Sequence, residues 1–208
     1  MVAKDSTHLL IVSNAITVVT ALVLHWPLAT LMWPYWIQSV IIGWYNRKRM
    51  LALHDFSTEG LTSNDQPVPE TPQGARSTAN FFAIHYGFFH LAYLVFLYQS
   101  VDKLTRWDWF VFAGLSVSFV MSHGQAYRQN VAADARGRPN LGVLLFLPYL
   151  RVIPMHLTLI FGRAIGGDGV GALLLFGTLK TLADVGMHAA ESKILKRTGI
   201  EDPDAAQS

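Results

Sequence analysis

The sequence predicts an all-α integral membrane bundle of six transmembrane helices with both termini on the cytoplasmic side. Three observations predict it. Of 208 residues 51% are hydrophobic and only 14% charged, against about 25% charged in soluble domains. Six apolar stretches are long enough to cross roughly 30 Å of hydrocarbon. The basic residues then fall almost entirely on one side of those stretches.

The stretches run from about Leu9 to His25, Leu28 to Tyr45, Ala79 to Tyr98, Trp107 to His123, Gly142 to Gly162 and Val170 to Ala190. The first does not read as a cleaved leader, since it has no small-x-small exit and continues into "LHWPLATLMWPYW". A Trp26-Pro27 turn makes the first two an antiparallel hairpin. Between the second and third lies "FSTEGLTSNDQPVPETPQGARST", rich in Pro, Ser, Thr and Gly, which reads as a flexible loop over about 55–78. Pro148 and Pro154 interrupt the fifth stretch, and a proline inside a helix removes an i→i−4 bond. Broken membrane helices are tolerated where they are buried in protein or line a cavity. The end, about 199–208, reads as a mobile tail, and the whole of 1–208 as one membrane domain without repeats.

Orientation follows from the basic residues. Eleven, among them Arg47, Lys48, Arg49, Arg136, Arg138 and Lys193, fall on the side of both termini, against three (Lys103, Arg106 and Arg163) on the other. Both termini are therefore expected inside, in the plasma (inner) membrane of a cell. The cluster "GWYNRKRM" reads as a topology anchor, with lipid-headgroup binding as the sharper alternative. A formal net charge of +2 does not imply nucleic acid. The absence of cysteine excludes disulfides, thiolate metal sites and a Cys nucleophile. Membrane lipid is the expected partner, and assembly as a homo-oligomer or in a membrane complex stays open.

The chemistry-bearing residues are those inside the spans. Asp184 is the one carboxylate of fourteen well inside a stretch, and Arg151 and Lys180 are the deep basic residues. Lys180, Asp184 and His188 recur every four residues, so they form one helical stripe. Charges at such depth should face the bundle interior and meet partners. Asp184 is expected to pair with Lys180 on its own helix or with Arg151 across the bundle. By a rise of about 1.5 Å per residue, His85 shares the depth of Asp184, with His123 and His188 about a turn shallower.

Three function classes compete. Neutral imidazoles with a carboxylate suit Zn, Fe or Mn. His85, His123, Asp184 and His188 are the candidate metal ligands of a site that activates water or oxygen on a lipid or membrane-soluble substrate. Arg151 and Lys180 would then be the catalytic groups, Arg151 holding an anionic part of the substrate. A haem subunit has less support, because no helix carries a His pair about one leaflet apart. In the third class the stripe serves helix packing or ion passage in a non-enzymatic membrane subunit or transporter-like protein.

The blocks "YWIQSVIIG", "FFAIHYGFF", "PYLRVIPMHLTLIFG" and "LKTLADVGMH" resemble those of a bacterial and archaeal family of polytopic membrane proteins known only as a domain of unknown function. The resemblance covers most of the apolar chain. It implies a six-helix fold in which His85, Arg151, His156, Lys180, Asp184 and His188 match the family's polar positions, and it implies no activity. That family tends to carry an acid where this chain has Gln38, a departure that weakens a carboxylate-rich metal site. The closing HxxxH of the seven-helix zinc hydrolases of the ceramidase and adiponectin-receptor type is not present.

Overall fold

A computed structural model describes residues 2–162, 164–165 and 169–197, with side chains for 7–162, 164–165, 169–187 and 189. The fold is all-α: α1 Val2–Val23, α2 Leu28–Leu51, α3 Pro72–Tyr98, α4 Arg106–Asp134, α5 Leu141–Phe146, α6 Tyr149–Phe161 and α7 Val170–Arg197. A two-residue antiparallel pair, β1 Thr62–Ser63 and β2 Gln66–Pro67, lies between α2 and α3. Among the described residues three helical segments are long and apolar enough to cross a membrane: Pro72–Tyr98, Leu141–Phe161 and Val170–Met187. Thr7–Val23 is apolar but shorter. The expected tail, and Arg163 of the outer basic group, lie outside the described residues.

The described residues pack as two compact units, one drawn from 1–32 and 150–197 and the other from 33–149. In the first, α1 ends as the Trp-Pro turn predicts. His25 takes a left-handed conformation (φ 53). Trp26 N–H bonds the Ala21 carbonyl at 2.9 Å and His25 N–H that of Leu22 at 3.3 Å. This crossed pair is the Schellman pattern that satisfies orphan carbonyls at a helix end. α1 then lies along α7. Gly177 allows the approach, since a Cβ there would overlap the Val18 side chain. Pro154 sits within α6 without ending it, and Thr158 Oγ1 donates back to the Pro154 carbonyl at 2.7 Å. Pro148 instead falls in the two-residue break between α5 and α6.

In the second unit the helices outrun the hydropathy signal. α4 continues past His123 to Asp134, where the carboxylate takes both Arg49 Nε (2.6 Å) and Nη2 (2.8 Å). The side chains are only 17% and 10% exposed, so Arg49 is a fixed partner and not a freely solvated anchor. Lys48 lies over the Tyr127 ring at 5.3 Å, and Arg47 donates to Asn80 Oδ1 at 3.0 Å.

The segment expected to be a flexible loop is folded. α3 begins at Pro72, capped by Thr71 Oγ1, which accepts from Gly74 N–H. Asn64 and Asp65 have φ of 51 and 60, as a two-residue hairpin turn with both central residues left-handed requires. Thr58 Oγ1 donates to the Val68 carbonyl at 2.6 Å, and Ser57 exchanges backbone bonds with Pro139 and Leu141. Arg138 ties the lobe to both Glu70 and Asp55. Phe56, Leu61 and Val68 are buried. The seam is closed at Gly74, where a Cβ would collide with the Pro69 carbonyl oxygen.

Gly74→Ala should therefore loosen this lobe by about 1–3 kcal/mol, the usual cost of overpacking. Proteolysis between residues 52 and 71 is expected to accelerate about tenfold, with no change for Ser77→Ala, one turn on and exposed. An unchanged cleavage rate in Gly74→Ala would contradict a docked lobe.

Candidate functional site

Among the described residues, the charged side chains Arg151 and Lys180 of the first unit converge on Asp184. α7 brings Lys180 one turn before it, and Lys180 Nζ donates to Asp184 Oδ2 at 2.7 Å. α1 supplies Asn14, whose Nδ2 donates to the same oxygen at 3.0 Å while its Oδ1 accepts from Lys180 Nζ at 2.7 Å. Asn14, Lys180 and Asp184 thus form a closed ring of three hydrogen bonds. α6 places Arg151 Nη2 3.7 Å from Asp184 Oδ1. Asp184 and Arg151 are 10% and 12% exposed at the side chain and Lys180 27%, while Asn14 is 8% exposed as a residue.

Lys180 and Arg151 were expected as alternative partners for Asp184, and both face it. The acidic side chain needs them, because an isolated carboxylate out of water would cost several kcal/mol or more. Sequence reasoning missed Asn14. The signal was there: it is the one amide in the apolar run "LLIVSNAITVV". A primary amide suits the position because it donates to the carboxylate and accepts from the ammonium at once. Asp184 Oδ1 is buried and accepts no hydrogen bond among the described residues.

The remaining candidates have other partners or lie outside the described side chains. His85 and His123 belong to the 33–149 unit and Asp184 to the other. His85 Nδ1 meets the Tyr149 hydroxyl at 2.8 Å, and His123 Nε2 meets Gln38 Nε2 at 3.3 Å. His188 lies on α7, but its side chain is outside the described ones. No group of three His, Asp or Glu side chains able to hold a metal occurs among the described residues, so the expectation of a Zn, Fe or Mn centre gains no support. His90, near in sequence to His85, is a packing residue: it is buried, its Nδ1–H donates to the Tyr86 carbonyl, and its own carbonyl accepts from Trp36 Nε1. His156 is exposed on α6.

These features define an all-α protein with helices long and apolar enough for a bilayer and an ionic cluster on three of its helices. The chain belongs to the family of unknown function DUF6498, matched over residues 3–200. No curated protein and no solved structure matches it.

Asp184→Asn leaves two cations facing a neutral amide and should lower stability in detergent by about 3–5 kcal/mol. Adding Arg151→Gln should recover part of that loss, and strictly additive losses would mean that the two side chains do not interact. Asn14→Ala should cost about 1 kcal/mol, the scale of an interhelical membrane hydrogen bond.

Proposed function

We propose that the protein is a multi-pass plasma-membrane protein with both termini cytoplasmic, in which the Asn14–Arg151–Lys180–Asp184 cluster is an ionic joint between helices. On this reading it acts as a non-enzymatic membrane subunit or transporter-like component. The observation that carries it is the closed hydrogen-bond ring: Asp184 Oδ2 already accepts from Lys180 and Asn14. A carboxylate so engaged is a charge partner first. The membrane setting is supported by α3, where Phe81, Ile84, Phe88, Leu91 and Val95 are all more than half exposed. They recur at three and four residues, so they make one apolar stripe of the kind that water does not tolerate at length. The eleven-to-three basic asymmetry supports the orientation.

A second reading, a site acting on a lipid or membrane-soluble substrate, draws on Asp184 Oδ1. That oxygen is buried without a hydrogen bond, 3.7 Å from the Arg151 guanidinium. A substrate hydroxyl admitted by a shift of the guanidinium would satisfy it, donating to Oδ1 and accepting from Arg151, with Arg151 and Lys180 as the flanking cations.

Elemental analysis of the purified protein tests the ionic joint against a metal-centred form of the second reading. The ionic joint predicts no stoichiometric Zn, Fe or Mn, whereas near-equimolar metal lost in His188→Ala and His85→Ala would overturn it. Reporter fusions at Ser208 and Asp168 should report cytoplasm and exterior respectively, and the reverse pattern would contradict the orientation.

A further inference from the structure

The second unit contains a cavity of about 1090 Å³ that the ionic joint does not involve. One wall is a stripe of α3: Gly74, Thr78, Phe81 and His85 recur at i, i+4, i+7 and i+11, so they share one helix face. That stripe is about 16 Å long at 1.5 Å of rise per residue. Leu145, Phe146 and Tyr149 form the facing wall, and the hairpin lobe with Leu61 and Val68 closes a further side. The size is at the upper end of small-molecule sites.

Its chemistry is graded along that length. Thr71, Gln73 and Ser77 give the end near the start of α3 hydroxyls and an amide, while Phe81, Leu145 and Phe146 make the middle apolar. Among the described residues no Asp, Glu, Lys or Arg lines it. Phe81 and Phe146 are 56% and 63% exposed, and Phe81 begins the outward apolar stripe of α3. The cavity therefore shares its wall with the surface read as facing lipid.

At the far end stands the His85–Tyr149 pair, with Nδ1 and the hydroxyl oxygen 2.8 Å apart. The His85 ring is held between Phe81, stacked at 5.3 Å and 12°, and Phe89, edge-on at 5.1 Å and 88°. Both tautomers leave a donor for a ligand. If Tyr149 donates to Nδ1, the Nε2–H of His85 is left to donate. If Nδ1–H donates to Tyr149, the phenol O–H is left instead, and Nε2 becomes an acceptor. The constant element is one N–H or O–H donor beside an apolar wall, which suits a neutral oxygen acceptor.

We propose that this cavity binds an uncharged lipid through a carbonyl or hydroxyl oxygen hydrogen-bonded to the His85–Tyr149 pair, with its apolar body against Phe81, Leu145 and Phe146. The described lining offers a charged headgroup no formal counter-charge, so it favours an uncharged one. A neutral glycerolipid and a membrane quinone share this chemistry. The site is independent of the ionic joint.

The test uses the full chain in phosphatidylcholine nanodiscs with three photoactivatable probes: diacylglycerol, a quinone with an isoprenoid tail, and phosphatidic acid with the acyl chains of the diacylglycerol probe. Diacylglycerol or quinone should label peptides containing Phe81 or Phe146, and whichever labels names the source. His85→Phe combined with Tyr149→Phe, which removes the ligand donor in either tautomer, should cut that labelling about fivefold, the worth of one hydrogen bond. Ser77→Trp, at an exposed position on the rim, should block it without disturbing packing, as an unchanged elution volume would verify. Phosphatidic acid should label these peptides far less. Equal labelling by phosphatidic acid, labelling unaffected by both variants, or no labelling by either neutral probe would overturn the proposal.

Discussion

The first unit depends on how one carboxylate is accommodated. Asp184 lies on a helix apolar enough to cross a membrane, and its side chain is 10% exposed. A charge there is tolerated only with counter-charges and donors in place. Lys180 comes from the same helix, Arg151 from α6 and Asn14 from α1. Satisfying Asp184 therefore fixes the rotation of α1 and α6 against α7. It also requires α1 to come close, and Gly177 on α7, where a side chain would overlap Val18, makes that approach possible.

The second unit is held by different means. Its buried polar contacts run mostly from side chain to backbone: Trp36 to the His90 carbonyl, Tyr86 to that of Ser39 and Asn46 to that of Leu144. Such bonds join helices without formal charge. An enclosed ion pair, Arg49 with Asp134, sits where α2 and α4 extend beyond their apolar stretches. The same preference for neutral polar groups appears in the cavity, whose wall carries hydroxyls, amides and one imidazole–phenol pair. The two units thus offer two chemistries, an ionic one at Asp184 and a neutral one at His85.

The sequence made the all-α class, the Trp-Pro turn that ends α1 and the pairing of Asp184 legible, because each rests on a local signal. Helix periodicity puts Lys180 on the face of Asp184, and depth demands a partner. What stayed hidden depends on residues far apart. Asn14 meets Asp184 across 170 positions, and a lone amide in an apolar run does not say which charge it serves. The lobe before α3 looked like a loop because its order comes from Thr58, Arg138 and Asn140 bonding distant backbone and side chains, not from apolar periodicity. Apolarity in α4 stops near His123, so hydropathy alone ends the segment there. The helix itself continues, since Ala, Gln and Arg are good helix formers outside hydrocarbon. The bond from His85 to Tyr149, 64 positions away, has no signature in the sequence either.

The central claim, that the Asp184 cluster sets α1 on α7, is tested most directly by disulfide trapping in membranes. The chain has no cysteine of its own. A Cβ at Gly177 would lie 3.6 Å from that of Val18, within the range of a disulfide. In Val18→Cys with Gly177→Cys, oxidation should cross-link α1 to α7 rapidly and nearly completely, and adding Asp184→Leu should slow it about tenfold or more, as expected for losing a coupling of over 1.4 kcal/mol. Failure of the pair to cross-link, or a rate indifferent to Asp184→Leu, would contradict the account.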